Sequence, residues 1–390
     1  MSEIKVNSIK GVGATNAAIT VNNSDGTCTA NLSNRQGKNL VVNGACLIAQ
    51  RGLSSTSSGY QTVDRFKTFF GGTDEAPTQA QVDLSSSDTP YSLGFRKAFK
   101  VTNGNQTSGA GSGDYLGFSY SIEAQDVATS GWNYTDTNSK LTIQFWAKSS
   151  VAKTFILSLY TQDGTEYGYN HKYALAANTW TKITHTFIGN SNLTFNNDNG
   201  LGIQFMFHMY SGTQWTSGST VDQWVVYNGY TSTPDDTSDW YTTNDATFEI
   251  TGVQLEVGSV ATDFEHRSFG QELALCQRYC CKWHTNGAST NNHSRFSTGY
   301  YGDTTSGILF LNHPVPMRAT DGRTLTHNIN NIESVSGGGN SNNLALLSDG
   351  NSNMITGLVV NNLSGVTQFD IYVARVSAQT NWFIIIANEL

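Results

Sequence analysis

Ala246-Thr-Phe-Glu-Ile-Thr-Gly-Val-Gln-Leu-Glu-Val257 carries apolar side chains at every second position, on two parities: Phe248 and Ile250, then Val253, Leu255 and Val257. A period of two is that of a strand with one face buried. The parity changes at Thr251-Gly252, and one extra residue at a glycine is the mark of a β-bulge. The same alternation recurs upstream in Phe118, Tyr120 and Ile122, in Leu141, Ile143, Phe145 and Ala147, and in Phe155, Leu157 and Leu159. It returns in Leu201, Ile203, Phe205, Phe207 and Met209. Such strands, separated by Gly- and Asn-rich turns, predict an all-β fold, an antiparallel jelly roll or β-sandwich over residues 46–268.

The composition agrees. The chain has 390 residues, among them 38 Gly, 19 Phe, 17 Tyr and 8 Trp. Aromatic side chains suit a pleated, half-buried surface, whereas Gly, Asn, Ser and Thr weaken helices. Only 13% of the residues are charged, against about 25% in an average soluble domain, so uncharged polar side chains must carry the surface. A net charge of −8 lacks the basic footprint that phosphate neutralisation requires, so no nucleic-acid partner is expected. The longest apolar run, Trp382 to Ala387, is strand-length, well short of the roughly 18 residues of a membrane span, so no membrane insertion is expected. Met1-Ser-Glu-Ile-Lys-Val lacks the layout of a signal peptide, which predicts synthesis in the cytoplasm. Five cysteines, Cys28, Cys46, Cys276, Cys280 and Cys281, are too few and too odd for a disulfide framework and are read as reduced thiols.

Residues 1–45 are poor in apolar side chains and have no core of their own, so they are read as an extended N-terminal attachment segment held by a partner. One helix is expected, Ser268 to Trp283, where Leu273, Cys276, Tyr279, Cys280 and Trp283 recur at three- and four-residue spacing behind Ser268 as N-cap and Glu272. It opens a β-rich C-terminal domain, 269–390. There polar loops at Asn286 to Thr305 and around Gly337-Gly338-Gly339 accompany strands at Ile308 to Leu311, Leu344 to Leu347, Leu358 to Val360, Phe369 to Val376 and Trp382 to Ala387.

Several passages carry a resemblance. Ile4-Lys-Val-Asn-Ser-Ile9, Asp25-Gly-Thr-Cys-Thr-Ala-Asn-Leu32, Asn39-Leu-Val-Val-Asn-Gly-Ala45, Ala49-Gln-Arg-Gly52 and Val63-Asp-Arg-Phe66 resemble the N-terminal region of tail-fibre and other appendage proteins of tailed bacteriophages, the marine type especially. Ile250-Thr-Gly-Val-Gln-Leu-Glu-Val-Gly-Ser-Val-Ala-Thr-Asp-Phe-Glu-His-Arg-Ser-Phe-Gly-Gln-Glu-Leu-Ala-Leu-Cys-Gln-Arg-Tyr279 is similar to the end of the sandwich domain in such proteins. The resemblance covers residues 1–70 and 245–283. It implies a virion structural protein, a homotrimeric tail fibre attached to phage tail or capsid proteins through residues 1–45. Its sandwich would be carbohydrate-binding-module-like and its distal part, 269–390, would face the receptor, a host-surface polysaccharide. Cys280-Cys281 stand where such proteins carry aromatic or polar residues, and no chaperone or autoprotease segment is evident at the C-terminus.

The candidate glycan contacts are aromatic residues set among Ser, Thr, Asn and Gly: Trp132, Tyr134, Trp215, Tyr230, Trp240 and Tyr241. A ring offers a flat apolar face to the C–H face of a sugar while amides and hydroxyls bind its hydroxyl groups. Asp235, Asp236 and Asp239 form the densest acidic cluster, a candidate structural Ca²⁺ loop, although they match no Ca²⁺ motif. No other cofactor is expected. Cys276, Cys280 and His284 cannot share one ion on a helix rising about 1.5 Å per residue, and buried thiols are the plainer reading. His185 and His208 fall within strand alternations and are read as ordinary hydrogen-bonded histidines. No G-x-S-x-G, P-loop or H-E-x-x-H motif occurs. Polysaccharide cleavage would need two carboxylates facing each other, and neither Asp163 with Glu166 nor the Asp235 cluster marks such a pair, so a non-enzymatic protein is expected.

Overall fold

In a computed structural model of the chain, the structure describes residues 7–10, 12, 19–21, 28–30, 37–216, 220–227, 233–284, 294–334, 341–348, 351–364, 368, 371–376, 379 and 381–390. Near the N-terminus β1 (Ser8–Ile9), β2 (Ile19–Val21) and β3 (Cys28–Ala30) pair in that order. Then come β4 (Ser54–Ser55), β5 (Phe66–Gly71), β6 (Thr78–Asp83), β7 (Lys97–Thr102) and β8 (Tyr115–Glu123), followed by the short helix α1 (Ala124–Ala128). The series continues through β9 (Lys140–Ser149), β10 (Lys153–Thr161), β11 (Tyr167–Leu175), β12 (Thr181–Ile188), β13 (Leu201–Ser211), β14 (Trp224–Val226) and β15 (Thr247–Val257).

These strands build two six-stranded antiparallel sheets, ordered β14-β11-β10-β13-β8-β5 and β12-β9-β15-β7-β6-β4, and the chain changes sheet at most connections. The fold is therefore the antiparallel β-sandwich that the alternation predicts. Phe118, Tyr120, Phe145, Phe155, Phe205, Phe207, Phe248 and Leu255 all point between the sheets into one buried core. The Phe118 and Phe207 rings stack with centroids 4.6 Å apart, and Phe145 meets Phe207 edge-on at 5.3 Å. The bulge in β15 is present: its register against β9 shifts between Thr251 and Gln254, around Gly252 at φ +65°. A Cβ at Gly252 would lie 2.7 Å from the Phe95 ring, so the position requires glycine twice over.

Helix α2 (Phe269–Gln277) begins where expected, with Ser268 Oγ accepting from Gln271 N and Gln271 Oε1 accepting from Ser268 N. It ends six residues earlier than its apolar spacing predicts, because Cys280–His284 is strand β16. There follow β17 (Ser294–Tyr301), β18 (Gly307–Asn312), β19 (Thr324–His327), β20 (Ile332–Ser334), β21 (Leu344–Leu346), β22 (Ile355–Val360), β23 (Ile371–Val376) and β24 (Phe383–Ala387). The physical reason is β24, whose backbone needs a partner on both edges; β16 supplies one and β19 the other. Ser294–Tyr301, expected within a polar loop, is a strand between β23 and β18. The sheets β16-β24-β19 and β20-β23-β17-β18-β22-β21 enclose a second core around Leu309, Leu358, Val360, Trp382, Ile384 and Ile386. The expected glycine stretch 337–339 lies outside the described residues.

Residues 37–45, placed in the attachment segment by sequence, belong to the sandwich. Val41, Ala45 and Cys46 are buried, Leu40 N donates to Leu255 O at 2.9 Å, and Asn43 N donates to Glu272 of α2. The two β regions meet through charge. Glu123 of β8 takes two 2.7 Å bonds from Arg278 and one of 2.6 Å from the Tyr279 hydroxyl. Glu389 binds Arg51 at 2.9 Å and Arg65 at 2.5 Å, and the Arg65 guanidinium lies 3.4 Å from the centre of the Tyr279 ring. Arg51, Asp64 and Arg65 are the charged residues of Ala49-Gln-Arg-Gly52 and Val63-Asp-Arg-Phe66, so these short passages do structural work at the joint.

Candidate functional site

The outer face of the β14-β11-β10-β13-β8-β5 sheet holds the site. Strand pairing fixes which side chains share it. Phe69 of β5 and His208 of β13 both stand opposite Gly117 of β8, while Ser158 of β10 stands between Met206 of β13 and Asn170 of β11. Together with Tyr115, Ser211, Trp215 and Tyr227 these residues line a cleft of about 240 Å³.

An irregularity in β13 gives the cleft its polar floor. The register of β13 against β8 shifts between His208 and Tyr210, so that Ser211, three residues after His208, returns to the same face. Donor bookkeeping then sets a chain of hydrogen bonds. The Ser211 hydroxyl donates to His208 Nδ1 at 3.2 Å, His208 Nε2 donates to Ser158 Oγ at 3.1 Å, and Ser158 donates to Asn170 Oδ1 at 2.6 Å. Ser158, having spent its proton on Asn170, needs the His208 proton on Nε2, and Nδ1 accepts from Ser211 when His208 is neutral. Burial, aided by the nearby Lys153 ammonium, pushes the His208 pKa down to about 4 and so holds it neutral.

Aromatic rings stand around this floor. The Tyr115 and Trp215 rings meet edge to face at 5.2 Å, Phe69 lies 6.3 Å from Tyr115, and Tyr160 and Tyr227 pair at 4.5 Å on the far side. Trp215 is fixed by donating Nε1–H to Gly113 O at 2.7 Å. The rings lie close to the sheet because glycines leave room beneath them. A Cβ at Gly117 would come within 2.6 Å of the Phe69 ring, and one at Gly71 within 2.7 Å of the Tyr115 ring. The described residues lining the cleft include no charged side chain.

Of the aromatic candidates from sequence, Trp215 lines this cleft and Tyr230 lies outside the described residues. Trp132, Trp240 and Tyr241 are corrections, since all three are buried in the sandwich core, where no sugar can reach them. Tyr134 packs against Trp132 and Phe195, away from the cleft. These loop aromatics close the ends of the sandwich instead. The Ca²⁺ loop is likewise corrected. Asp236 is the counter-ion of buried Lys153 at 2.9 Å, and its other contacts come from Thr237 N at 2.8 Å and Ser211 N at 3.2 Å. Burial raises the Asp236 pKa and lowers that of Lys153, and the Lys153 ammonium also binds Met209 O and Thr237 O. Asp235 and Asp239 are exposed, and the three carboxylates form no metal-ligating group. The thiols of Cys276, Cys280 and Cys281 are buried and their pKa values raised by that burial, in keeping with the plain reading of them.

Three aromatic residues of the cleft, Phe69, Tyr115 and Tyr227, are not among the candidates from sequence, and His208 has only an ordinary role there. For Phe69 and Tyr115 the signal is present but quiet: aromatic residues at the outward parity of a strand whose inward parity is already filled.

No protein-family model matches the chain, and no curated protein matches it. Among solved structures, it is similar to the N-terminal cellulose-binding domain of β-1,4-glucanase C from Cellulomonas fimi, at 13% identity and a TM-score of 0.28, covering 55% of this chain and 100% of that one. The family 11 carbohydrate-binding module of Clostridium thermocellum, in complex with a β-1,3-1,4-mixed-linked tetrasaccharide, is similar at 14% identity and a TM-score of 0.24, over 55% of this chain and 98% of that one. A CBM4 module stands at 14% identity and a TM-score of 0.26, over 50% and 95%. Similarity this low transfers no ligand.

Proposed function

We propose that this protein is a non-enzymatic glycan-binding protein whose cleft takes an uncharged polysaccharide. The observation that carries the reading is the aromatic rim of Tyr115, Trp215, Phe69 and Tyr227 over the hydrogen-bonding floor of Asn170, Ser158, His208 and Ser211. Rings cover apolar sugar faces and the floor meets hydroxyl groups, while a lining without formal charge favours neutral over acidic sugars. Binding rather than hydrolysis is supported by the lack of Asp and Glu among the described lining residues, because glycoside cleavage uses two carboxylates. Titration calorimetry of the full chain against a panel of neutral and acidic soluble polysaccharides tests this. Binding to a neutral member that Trp215→Ala weakens supports it; new reducing ends during incubation would overturn the non-enzymatic part.

The biological setting that fits is a phage tail fibre, a homotrimer that docks on the particle through its N-terminal segment and presents the sandwich to host-surface polysaccharide. The resemblance of residues 1–70 and 245–283 to phage appendage proteins supports this. So does Ile9, 53% exposed, an apolar group on a three-stranded sheet too small to stand alone. Cross-linking the N-terminal segment within intact particles tests it. Capture of tail protein supports a tail fibre, capture of capsid protein a capsid fibre, and absence of the chain from particles refutes both.

A further inference from the structure

We propose that His171, His185 and Asp222 form a Zn²⁺ site that clips together the two sheets of the sandwich at one edge. His171 lies on β11 and His185 on β12, strands of opposite sheets. Their imidazole rings stack with centroids 3.7 Å apart and planes 23° from parallel. Asp222 Oδ1 lies 2.7 Å from His171 Nδ1 and 3.7 Å from His185 Nε2. One ligand atom from each residue falls within 4.8 Å of the others, the single such group among the described residues.

Tetrahedral Zn²⁺ with bonds near 2.0–2.1 Å to nitrogen and oxygen sets its ligand atoms about 3.4 Å apart. The 3.7 Å spacing of His185 and Asp222 already fits; the 2.7 Å hydrogen bond between His171 Nδ1 and Asp222 must open, and one of the two stacked rings must rotate so that both ring planes meet at the ion. Two imidazoles with one carboxylate suit Zn²⁺ and exclude the hard cations Ca²⁺ and Mg²⁺, which take oxygen ligands. The set leaves a fourth position for water, and metal binding releases the Tyr169 hydroxyl, which lies 3.3 Å from His185 Nε2, from its hydrogen bond to that atom.

The carboxylate is placed by the backbone. Asp222 N donates to Asn170 O at 2.7 Å, and Asp222 itself sits at φ +59°, a conformation that Asp and Asn tolerate. Asn170 also ends the hydrogen-bonded floor of the cleft, so a metal held here would stiffen that floor from behind. The site is independent of what the cleft binds.

The test uses the full chain without an affinity tag, dialysed against chelator and titrated with ZnCl₂ alone, read by calorimetry and thermal unfolding. Expected are one Zn²⁺ per chain and a Tm rise of several degrees at saturating metal. Asp222→Asn, isosteric at a half-exposed position, is expected to weaken binding at least tenfold without lowering the metal-free Tm, and His185→Gln to do the same. If His185→Gln fails to fold, Asp222→Asn decides alone. Absence of Zn²⁺ binding, or binding that Asp222→Asn leaves unchanged, overturns the site.

Discussion

The two outer faces of the sandwich use similar residues to opposite ends. On the β12-β9-β15-β7-β6-β4 sheet, Trp146 and Trp180 are covered by the chain itself, with Phe95, Leu84, Tyr91 and Phe264 packed over them. The same covering segments bond polar groups of this face: Trp180 Nε1 donates to Asp88 at 2.7 Å, Gln144 Nε2 to Thr262 O at 2.6 Å, and Thr262 N to Glu256 at 2.8 Å. On the other sheet, Trp215, Tyr115 and Phe69 stand over a polar floor that lines a cleft. Aromatic and amide side chains on a sheet face are thus not by themselves a binding signature. What distinguishes the two faces is whether the protein supplies the covering layer from its own chain.

The largest expected effect is on the covered face. Phe95→Ala removes a ring that is 2% exposed and touches Phe264 and His266, and is expected to cost about 3–5 kcal/mol in urea unfolding while leaving polysaccharide affinity unchanged. A change in affinity would mean that the two faces are not independent.

Acid provides the next test, on the open face. The His208 pKa is about 4 in the folded protein and about 6.5 when unfolded, so the unfolded chain takes the proton first. Stability from this group is full above pH 6.5 and falls as the pH drops toward 4, by about 3 kcal/mol in all. Asp64, pushed up to about 6 by burial, titrates through the same window with the opposite sign. The quantity to measure is therefore the difference between wild type and His208→Asn across pH 4–7, which cancels Asp64. A difference that does not change with pH would remove the neutral histidine from the floor.

Gly117→Ala sharpens the contrast further. A methyl group 2.6 Å from both the Phe69 ring and the Phe207 backbone oxygen must tilt the ring and shift the β8–β13 pairing, at an expected cost of about 1–3 kcal/mol in stability together with weaker glycan binding. Unfolding curves and calorimetry on the same variant separate the two effects.

The sandwich is legible because most of its inward positions follow a period of two and carry apolar residues, down to the bulge at Gly252, with Thr68, His171 and His185 as polar exceptions. Most of the cleft is not, because Phe69, Tyr115, Ser158, Asn170, Met206 and His208 occupy the outward positions of those same strands, where a polar or aromatic residue looks like an ordinary surface position. Searching polar loops for aromatic residues found Trp132, Trp240 and Tyr241, whose polar surroundings in sequence are end caps over the core in space. The helix was overextended for a related reason. Cys280 and Trp283 continue the spacing of Leu273 and Cys276, and only the distant strand Phe383–Ala387 makes strand the better state for them. Likewise, Asp236 reads as a surface acid until Lys153, 83 positions away in sequence, is placed beside it.

We propose that the uncovered face binds a neutral polysaccharide through its rings. Calorimetry of wild type and Trp215→Ala against the neutral polysaccharide that binds best tests it most directly. Expected are measurable binding by wild type, a loss of at least about tenfold in the variant, which is about 1.4 kcal/mol, and little change in Tm. Equal affinity in the two proteins, or no binding to any neutral polysaccharide, would contradict it.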